Sequence, residues 1–297
     1  MKTFKIVVLI ALLLIIMGCR NTAPTDISIT EFSHSEQNFK IISAYEGLYC
    51  YVEEAKKLSN PNPKSLQKLY SEIFINRVFD FGVPTIKYHH NVIYNIAELE
   101  KQLHELENYN VEDILQSTLI KSAEILPGPD INIFVMPHNR YITKASGYIH
   151  NGDIYIYPST KWTESAIQAI IAHEYNHIVA MENRHPPNDL LGFLVFEGKA
   201  EAFAKLSIGY KISGSICIEQ EKEMWEIIED YLCQNTTTIC DKLSSLDEML
   251  PNCRYIIGYN IVNSFIQRHP HLSIEEWTHM DEHEIFVESG YVEYLNR

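Results

Sequence analysis

Two histidines and a glutamate near the middle of the chain have the spacing of a metal-binding helix motif. The segment reads His173-Glu174-Tyr175-Asn176-His177, which has the form H-E-x-x-H. Residues four apart lie on one face of an α-helix, so that both imidazoles can hold one Zn²⁺ ion. The carboxylate of Glu174 projects to the same side and can reach a water bound to that ion. The chemistry this pattern predicts is hydrolysis by an activated water, with Glu174 as general base.

The spacing has this meaning only in a helix, and the flanking residues predict one. Thr163 is a good N-cap, and Glu164 lies at the positive end of the first turn. Apolar residues then recur at helical spacing until Pro186-Pro187, which ends the helix. The apolar positions are Ala166, Ile167, Ile170, Ile171 and Ile178.

A catalytic zinc site needs a third protein ligand and one open coordination position. Glu197 lies twenty residues after His177, which is enough for a turn and a returning antiparallel helix. Apolar residues surround Glu197, and a carboxylate there is costly unless a cation or metal pairs with it. Glu201, one turn further, is suited to accept the N–H of a ligand histidine. Two alternatives stay open: Glu201 or another residue as third ligand, and both glutamates on a solvated helix face.

The composition limits the class of protein. The 297-residue chain has 24 basic and 39 acidic residues, a formal net charge of −15. Nucleic-acid binding requires basic patches, so this acidic chain is a poor candidate for it. Two β-rich segments, 131–136 and 154–157, precede the motif helix and are predicted strands. Helical periodicity covers most of the remainder, at 39–58, 64–79, 97–126, 190–210, 221–233, 253–267 and 273–288.

The N-terminus has the pattern of an export signal. Lys2 and Lys5 precede an uninterrupted apolar run from Ile6 to Met17. The run ends in Ile-Met-Gly-Cys, which resembles the bacterial lipobox and implies cleavage before a lipidated Cys19. The alternatives are a plain signal peptide or an N-terminal membrane anchor with an incidental cysteine. The lipobox interpretation places the mature chain in the bacterial cell envelope, outside the cytoplasm and tethered to a membrane.

The other cysteines and histidines give weaker signals. Five further cysteines contain no C-x-x-C pair, so a cysteine zinc site is not expected. Four of them cluster between 217 and 253, which favours disulfides there in an exported protein. Two groups of histidines are interpreted as surface or core residues rather than metal ligands. They are the adjacent pair His89 and His90 and the scattered His269, His271, His279 and His283.

The combination of H-E-x-x-H with E-x-x-x-(D/E) on the next helix is the pattern of the gluzincin zinc metallopeptidases. More narrowly, the chain resembles the DUF2268 family of predicted Zn-dependent proteases. The resemblance covers roughly Pro129 to Tyr291. The stretches that carry it are 152–159, 173–177, 196–203 and 254–262.

The resemblance implies a role for each matching residue. His173, His177 and Glu197 would be the ligands of one Zn²⁺, and Glu174 the base that takes a proton from the zinc-bound water. In zincins the strand before the motif helix commonly forms the edge on which substrate lies, and Asp153 to Tyr157 occupies that place. Tyr255 and Tyr259 could each donate to the oxyanion, although a packing role is favoured for each in a chain with 18 tyrosines.

These observations predict an α+β, zincin-like fold, with a small mixed sheet, the motif helix packed on it and a mainly helical C-terminal half. The predicted organisation is a lipoprotein signal peptide at 1–18, a flexible tether at 19–36, a helical N-terminal region at 37–127 and the zincin-like catalytic region at 128–297. The functional hypothesis is a membrane-tethered zinc metallopeptidase acting on peptides or proteins. The alternative is a non-catalytic lipoprotein whose structural zinc site supports binding of peptides or partner proteins.

Overall fold

The computed structural model describes residues 27–76, 78, 92–137, 147–159, 161–210, 216–236 and 252–296. Within these residues the chain adopts a mixed α+β fold with one sheet. The strands are β1 (Ile29–His34), β2 (Gln37–Ile42), β3 (Ile131–Val135), β4 (Gly147–His150) and β5 (Asp153–Ile156). The helices are α1 (Gly47–Lys56), α2 (Pro63–Tyr70), α3 (Ile96–Tyr109), α4 (Val111–Ile125), α5 (Glu164–Ala180), α6 (Leu190–Ile208), α7 (Ile218–Ile228), α8 (Cys253–Arg268), α9 (Ile274–His279), α10 (Glu282–Ser289) and α11 (Tyr291–Leu295).

The five described strands have the order β1-β2-β3-β5-β4. β2, β3 and β5 are parallel, whereas β1 and β4 pair antiparallel with their neighbours. The sheet is therefore mixed, as the sequence predicts. β4 and β5 are joined at Asn151 and Gly152, whose φ angles of 54° and 82° suit a tight two-residue hairpin turn. β5 thus has a partner on each side, and β1 and β4 are the two edge strands among those described.

The first described residues have a different secondary structure from the prediction. Residues 29–34, which the sequence assigns to a flexible tether, form β1, and residues 37–42, partly assigned to a helix, form β2. Helix α1 begins only at Gly47. A short apolar run such as that of Phe39, Ile41 and Ile42 does not distinguish a strand from a helix. Pairing with β3 decides the outcome, because it buries all three side chains.

The motif helix α5 is the centre of the packing. The side chain of Thr163 accepts a hydrogen bond from the N–H of Ala166 at 3.2 Å, which confirms the predicted N-cap. α5 packs against β4 and β5 on one side and against α4 and α6 on others. Every residue from Ala169 to Ala180 is buried, so this segment is enclosed rather than amphipathic.

Helices α6 and α8 cross with their backbones in contact. A Cβ added to Gly198 would lie 2.1 Å from the carbonyl oxygen of Gly258, and one added to Gly258 would lie 2.0 Å from that of Leu194. Only two glycines permit this approach. Sequence patterns do not pair the two glycines, because α8 follows α6 by more than forty residues. The crossing holds α8 beside the helix that carries Glu197.

The predicted disulfides at Cys217 and Cys233 are wrong. Both residues carry free, exposed thiols, Cys217 just before α7 and Cys233 after it. The sequence cluster does not become a spatial pair, since the helical segment between them separates the two positions. Cys19, Cys240, His89 and His90 lie outside the described residues. In the part of the chain that is described, no helix is long and apolar enough to cross a bilayer.

We expect Gly258→Ala to destabilise the fold. The added methyl group meets backbone rather than a flexible side chain, so α6 and α8 must separate. Overpacking of this kind lowers the free energy of unfolding by about 1–3 kcal/mol. Urea denaturation measures the change. Gly47→Ala is the matched control, because Gly47 has a helical φ of −59° and its added Cβ would have 3.4 Å contacts. Equal stability of the two variants would contradict the close crossing.

Candidate metal centre

Three side chains from two helices converge on one point. His173 Nε2 lies 3.0 Å from His177 Nε2 and 3.1 Å from Glu197 Oε2, and His177 Nε2 lies 3.4 Å from the same oxygen. All three residues are buried. Among the described residues, this is the group of three His, Cys, Asp or Glu side chains whose ligand atoms are close enough to share a metal ion. The structure therefore brings together the three ligands that the sequence predicts.

The geometry suits a tetrahedral metal ion. Bonds of zinc to histidine nitrogen and carboxylate oxygen place two ligand atoms about 3.3 Å apart in tetrahedral coordination. The observed separations of 3.0, 3.1 and 3.4 Å are close to that value. Two facing ring nitrogens and a carboxylate oxygen need a cation between them, either a proton or a metal ion, because their lone pairs otherwise repel each other. The donor set of two imidazoles and one carboxylate is one that zinc accepts.

Glu201 approaches His173 at the ring nitrogen that does not face His177 and Glu197. Its Oε1 lies 3.5 Å from His173 Nδ1, and its side chain is fully buried. A carboxylate at the second ring nitrogen fixes the tautomer and orientation of a metal-binding imidazole. Burial lowers the pKa of His173, but the hydrogen bonds that its ring can donate to the carboxylates of Glu197 and Glu201 outweigh it and raise the pKa to about 10. The predicted supporting position of Glu201 therefore matches the geometry.

The electrostatics of the other two residues follow from their burial. Burial would raise the pKa of Glu197, but His177 and His173 outweigh it and hold the pKa well below its usual range. Glu197 is therefore a carboxylate at neutral pH. Burial also lowers the pKa of His177, which keeps this imidazole neutral and able to donate a lone pair. The ring of His177 stacks on Phe196 at 4.2 Å, which fixes its plane.

The side chain of Glu174 lies between its own helix, α5, and strand β4. Burial raises the pKa of its carboxyl to about 7. A Cβ at Gly147, the first residue of β4, would lie 3.1 Å from Glu174 Oε1 and 3.0 Å from Cγ2 of Ile170. Gly147 thus leaves room for the carboxylate. Periodicity in the sequence gives Gly147 no role, although a glycine within a strand is the signal of such a close approach.

Of the two candidate tyrosines, Tyr255 lies beside the centre. Its ring is 5.9 Å from the ring of His173. Burial and the charge of Glu197 raise its pKa, so the hydroxyl keeps its proton. Arg254 Nη2 donates to this hydroxyl at 3.2 Å. The hydroxyl oxygen is the acceptor in that bond, so its own proton can be donated to another group. Tyr259, one turn along α8, is half-buried and interacts instead with Glu201.

The predicted edge strand is wrong. Residues 153–157 include β5, whose backbone pairs with both β3 and β4. The hairpin places β4 outside β5, which periodicity within β5 cannot reveal. The C-terminal histidines lie at the surface, as predicted. His283 pairs with Asp189 at 3.2 Å, half-buried His269 pairs with Glu288 at 3.2 Å, and His271 and His279 are exposed.

Comparison with known proteins gives one match. A family model described as predicted Zn-dependent protease (DUF2268) matches residues 111–287, which is more than half of the chain. The matched range contains the whole of α5, α6 and α8 and therefore all the residues of the metal centre. Searches of curated proteins and of solved structures find no significant match. The chain belongs to the DUF2268 family of predicted Zn-dependent proteases.

Proposed function

We propose that this protein is a zinc metallopeptidase with a zincin-like arrangement of sheet, motif helix and ligand-bearing second helix. The observation that carries the proposal is the convergence of His173, His177 and Glu197, with the carboxyl group of Glu174 near enough to interact with His173 and Glu197. Membership of the DUF2268 family supports it. A structural zinc site would need a fourth protein ligand. The residues that the structure describes supply three at this point.

Each residue of the centre has a distinct task in this proposal. His173, His177 and Glu197 hold the metal ion, and Glu201 keeps the ring of His173 in the ligand orientation. A zinc ion held there would act as a Lewis acid and make water nucleophilic near neutral pH. Glu174 takes the proton of the attacking water and passes it to the amine nitrogen that leaves. A pKa of about 7 suits a carboxyl group that must accept and release a proton at neutral pH.

The edge of β4 is suited to hold an extended peptide. The two-residue turn makes His150 and Asp153 a hydrogen-bonded pair, and hydrogen-bonded and non-bonded pairs alternate along an antiparallel hairpin. The backbone groups of Gly147 and Ile149 therefore face away from β5. A peptide that adds to the sheet there uses these groups for main-chain hydrogen bonds. Because Gly147 contacts Glu174, the scissile bond would lie next to the base.

Tyr255 is the proposed oxyanion donor. Hydrolysis of a peptide bond develops negative charge on the carbonyl oxygen, and a fixed donor there stabilises the transition state. Tyr255 keeps its proton, lies against His173 and accepts from Arg254. We further propose that lipidation at Cys19 tethers the enzyme in the cell envelope. That residue and the signal segment lie outside the described residues.

Glu174→Gln should abolish hydrolysis without loss of the metal ion. Glutamine keeps the shape of the side chain but cannot accept the proton, and a general base contributes about a hundredfold or more to the rate. Cleavage of a proteome-derived peptide library, followed by mass spectrometry with and without chelator, measures activity. Elemental analysis gives the zinc content. Full activity of this variant would show that another group is the base.

His177→Ala should lose stoichiometric zinc. One of three ligands is removed, and the two that remain cannot complete the site. Inductively coupled plasma analysis of the purified mature chain measures metal per chain. His271→Ala is the matched control, since His271 is exposed and lies in the turn before α9. If the His177 variant retained one zinc per chain, the ligands would lie elsewhere.

Tyr255→Phe should lower kcat by about a hundredfold, because one oxyanion donor is lost. Substrate binding uses the strand edge, so KM should change little. Tyr259→Phe is the control on the same helix and should keep kcat within a factor of about two. Steady-state kinetics on a peptide identified from the library gives both constants. The reverse order of the two variants would assign the donor to Tyr259.

A further inference from the structure

Helix α6 carries a fully buried lysine that the proposed chemistry does not use. Lys199 lies two residues after Glu197 and is 0 % exposed. Two residues correspond to about 200° around a helix, so its side chain leaves α6 on the side away from Glu197. A buried ammonium group is costly unless its donors are satisfied. All three have acceptors: Nζ donates to the carbonyl oxygens of Thr278 and Met280 and to Glu282 Oε1 at 2.8 Å.

These acceptors belong to one short segment from the end of α9 to the start of α10, residues 278–282, which we call the C-terminal junction. Arg184, which follows α5, donates to the carbonyl oxygens of His279 and Met280 at 3.2 Å each and to Glu282 Oε2 at 2.6 Å. Helix ends leave carbonyl groups without intrahelical partners, and cations nearby satisfy them. Two cations, one from each metal-binding helix region, therefore meet at the end of α9.

A third contact joins the junction to the motif itself. Asn176, next to His177, is fully buried, and its Nδ2 donates to Thr278 Oγ1 at 3.3 Å. Thr278 thus accepts from α5 through its hydroxyl and from α6 through its carbonyl oxygen. Apolar packing between α5 and α6 has little directionality. Hydrogen bonds from both helices to one rigid segment restrict the rotation of each helix relative to the other.

We propose that Lys199 is a positioning residue for the metal centre. By binding the C-terminal junction, it holds α6 at the rotation that brings Glu197 to His173 and His177. Metal ligands must be held to within about 0.5 Å, so a small rotation of α6 weakens the site without unfolding the chain. The inference rests on the proposed metal centre and adds that residues 278–282, remote in sequence, are required for its affinity.

Lys199→Met tests the proposal, because methionine keeps much of the apolar stem and removes the three donors. Lys205→Met is the matched control: Lys205 lies on the same helix, is exposed and donates to the carbonyl oxygen of Gly209, just after the end of α6, at 2.9 Å. Zinc affinity of the mature chain is measured by competition with a chromophoric chelator. We expect Lys199→Met to bind zinc about tenfold more weakly than wild type, and Lys205→Met to match wild type.

Circular dichroism establishes that the variants are folded at the assay temperature, and the absorption spectrum of the Co²⁺-substituted protein reports ligand geometry. If Lys199 only stabilised the fold, Lys199→Met would lower the unfolding temperature. The zinc affinity and the Co²⁺ spectrum of the folded variant would then be unchanged. Wild-type affinity and spectrum in folded Lys199→Met would therefore overturn the inference. If the wild-type chain itself bound no zinc, the proposed metal centre would fail first.

Thr278→Val decides the matter if Lys199→Met does not fold. Valine has the shape of threonine and removes only the hydroxyl that Asn176 binds. We expect weaker zinc binding in the same direction, by a factor of about three to ten, with a changed Co²⁺ spectrum. Unchanged affinity in this variant would show that the junction stabilises the fold but does not position the ligands.

Discussion

A carboxylate buried between two imidazoles is the constraint on which this structure depends. Glu197 is 8 % exposed, and burial alone would drive it to the neutral form. His173 and His177 reverse that preference, so the site holds a negative charge and ring nitrogens at one point. Such a group is stable only when a cation completes it or when protons are shared among the three side chains. The same feature makes the centre suitable for a divalent metal ion.

Helix α6 shows how charged residues can be accommodated in an apolar core. Glu197, Lys199 and Glu201 are all buried, and each is directed to a different partner. Glu197 approaches Nε2 of His173, and Glu201 approaches Nδ1 of the same ring. Lys199 binds the C-terminal junction, residues 278–282. At Gly198, the backbone of α6 also contacts the backbone of α8. The helix is thereby held in position on several sides, which a ligand-bearing helix requires.

The sheet contributes the other wall of the site. Its parallel centre is β2, β3 and β5, and the hairpin of β4 and β5 places Gly147 against Glu174. The N-terminal part of the described chain contributes to the same sheet, because β2 pairs directly with β3. The strands that lead into the motif helix are therefore supported by residues ninety positions earlier in the chain.

The sequence by itself determined the local features of the centre. H-E-x-x-H spacing, the Thr163 cap and the apolar residues around Glu197 each depend on near neighbours, and the structure has the motif helix and the three converging side chains. Tertiary structure alone decided that residues 29–34 and 37–42 are strands and that, among the described strands, β4 rather than β5 lies at that edge of the sheet. It also decided that Tyr255 rather than Tyr259 approaches His173, and that Lys199 binds residues 278–282. These outcomes depend on which distant segments meet, and periodicity within a segment carries no information about its partner.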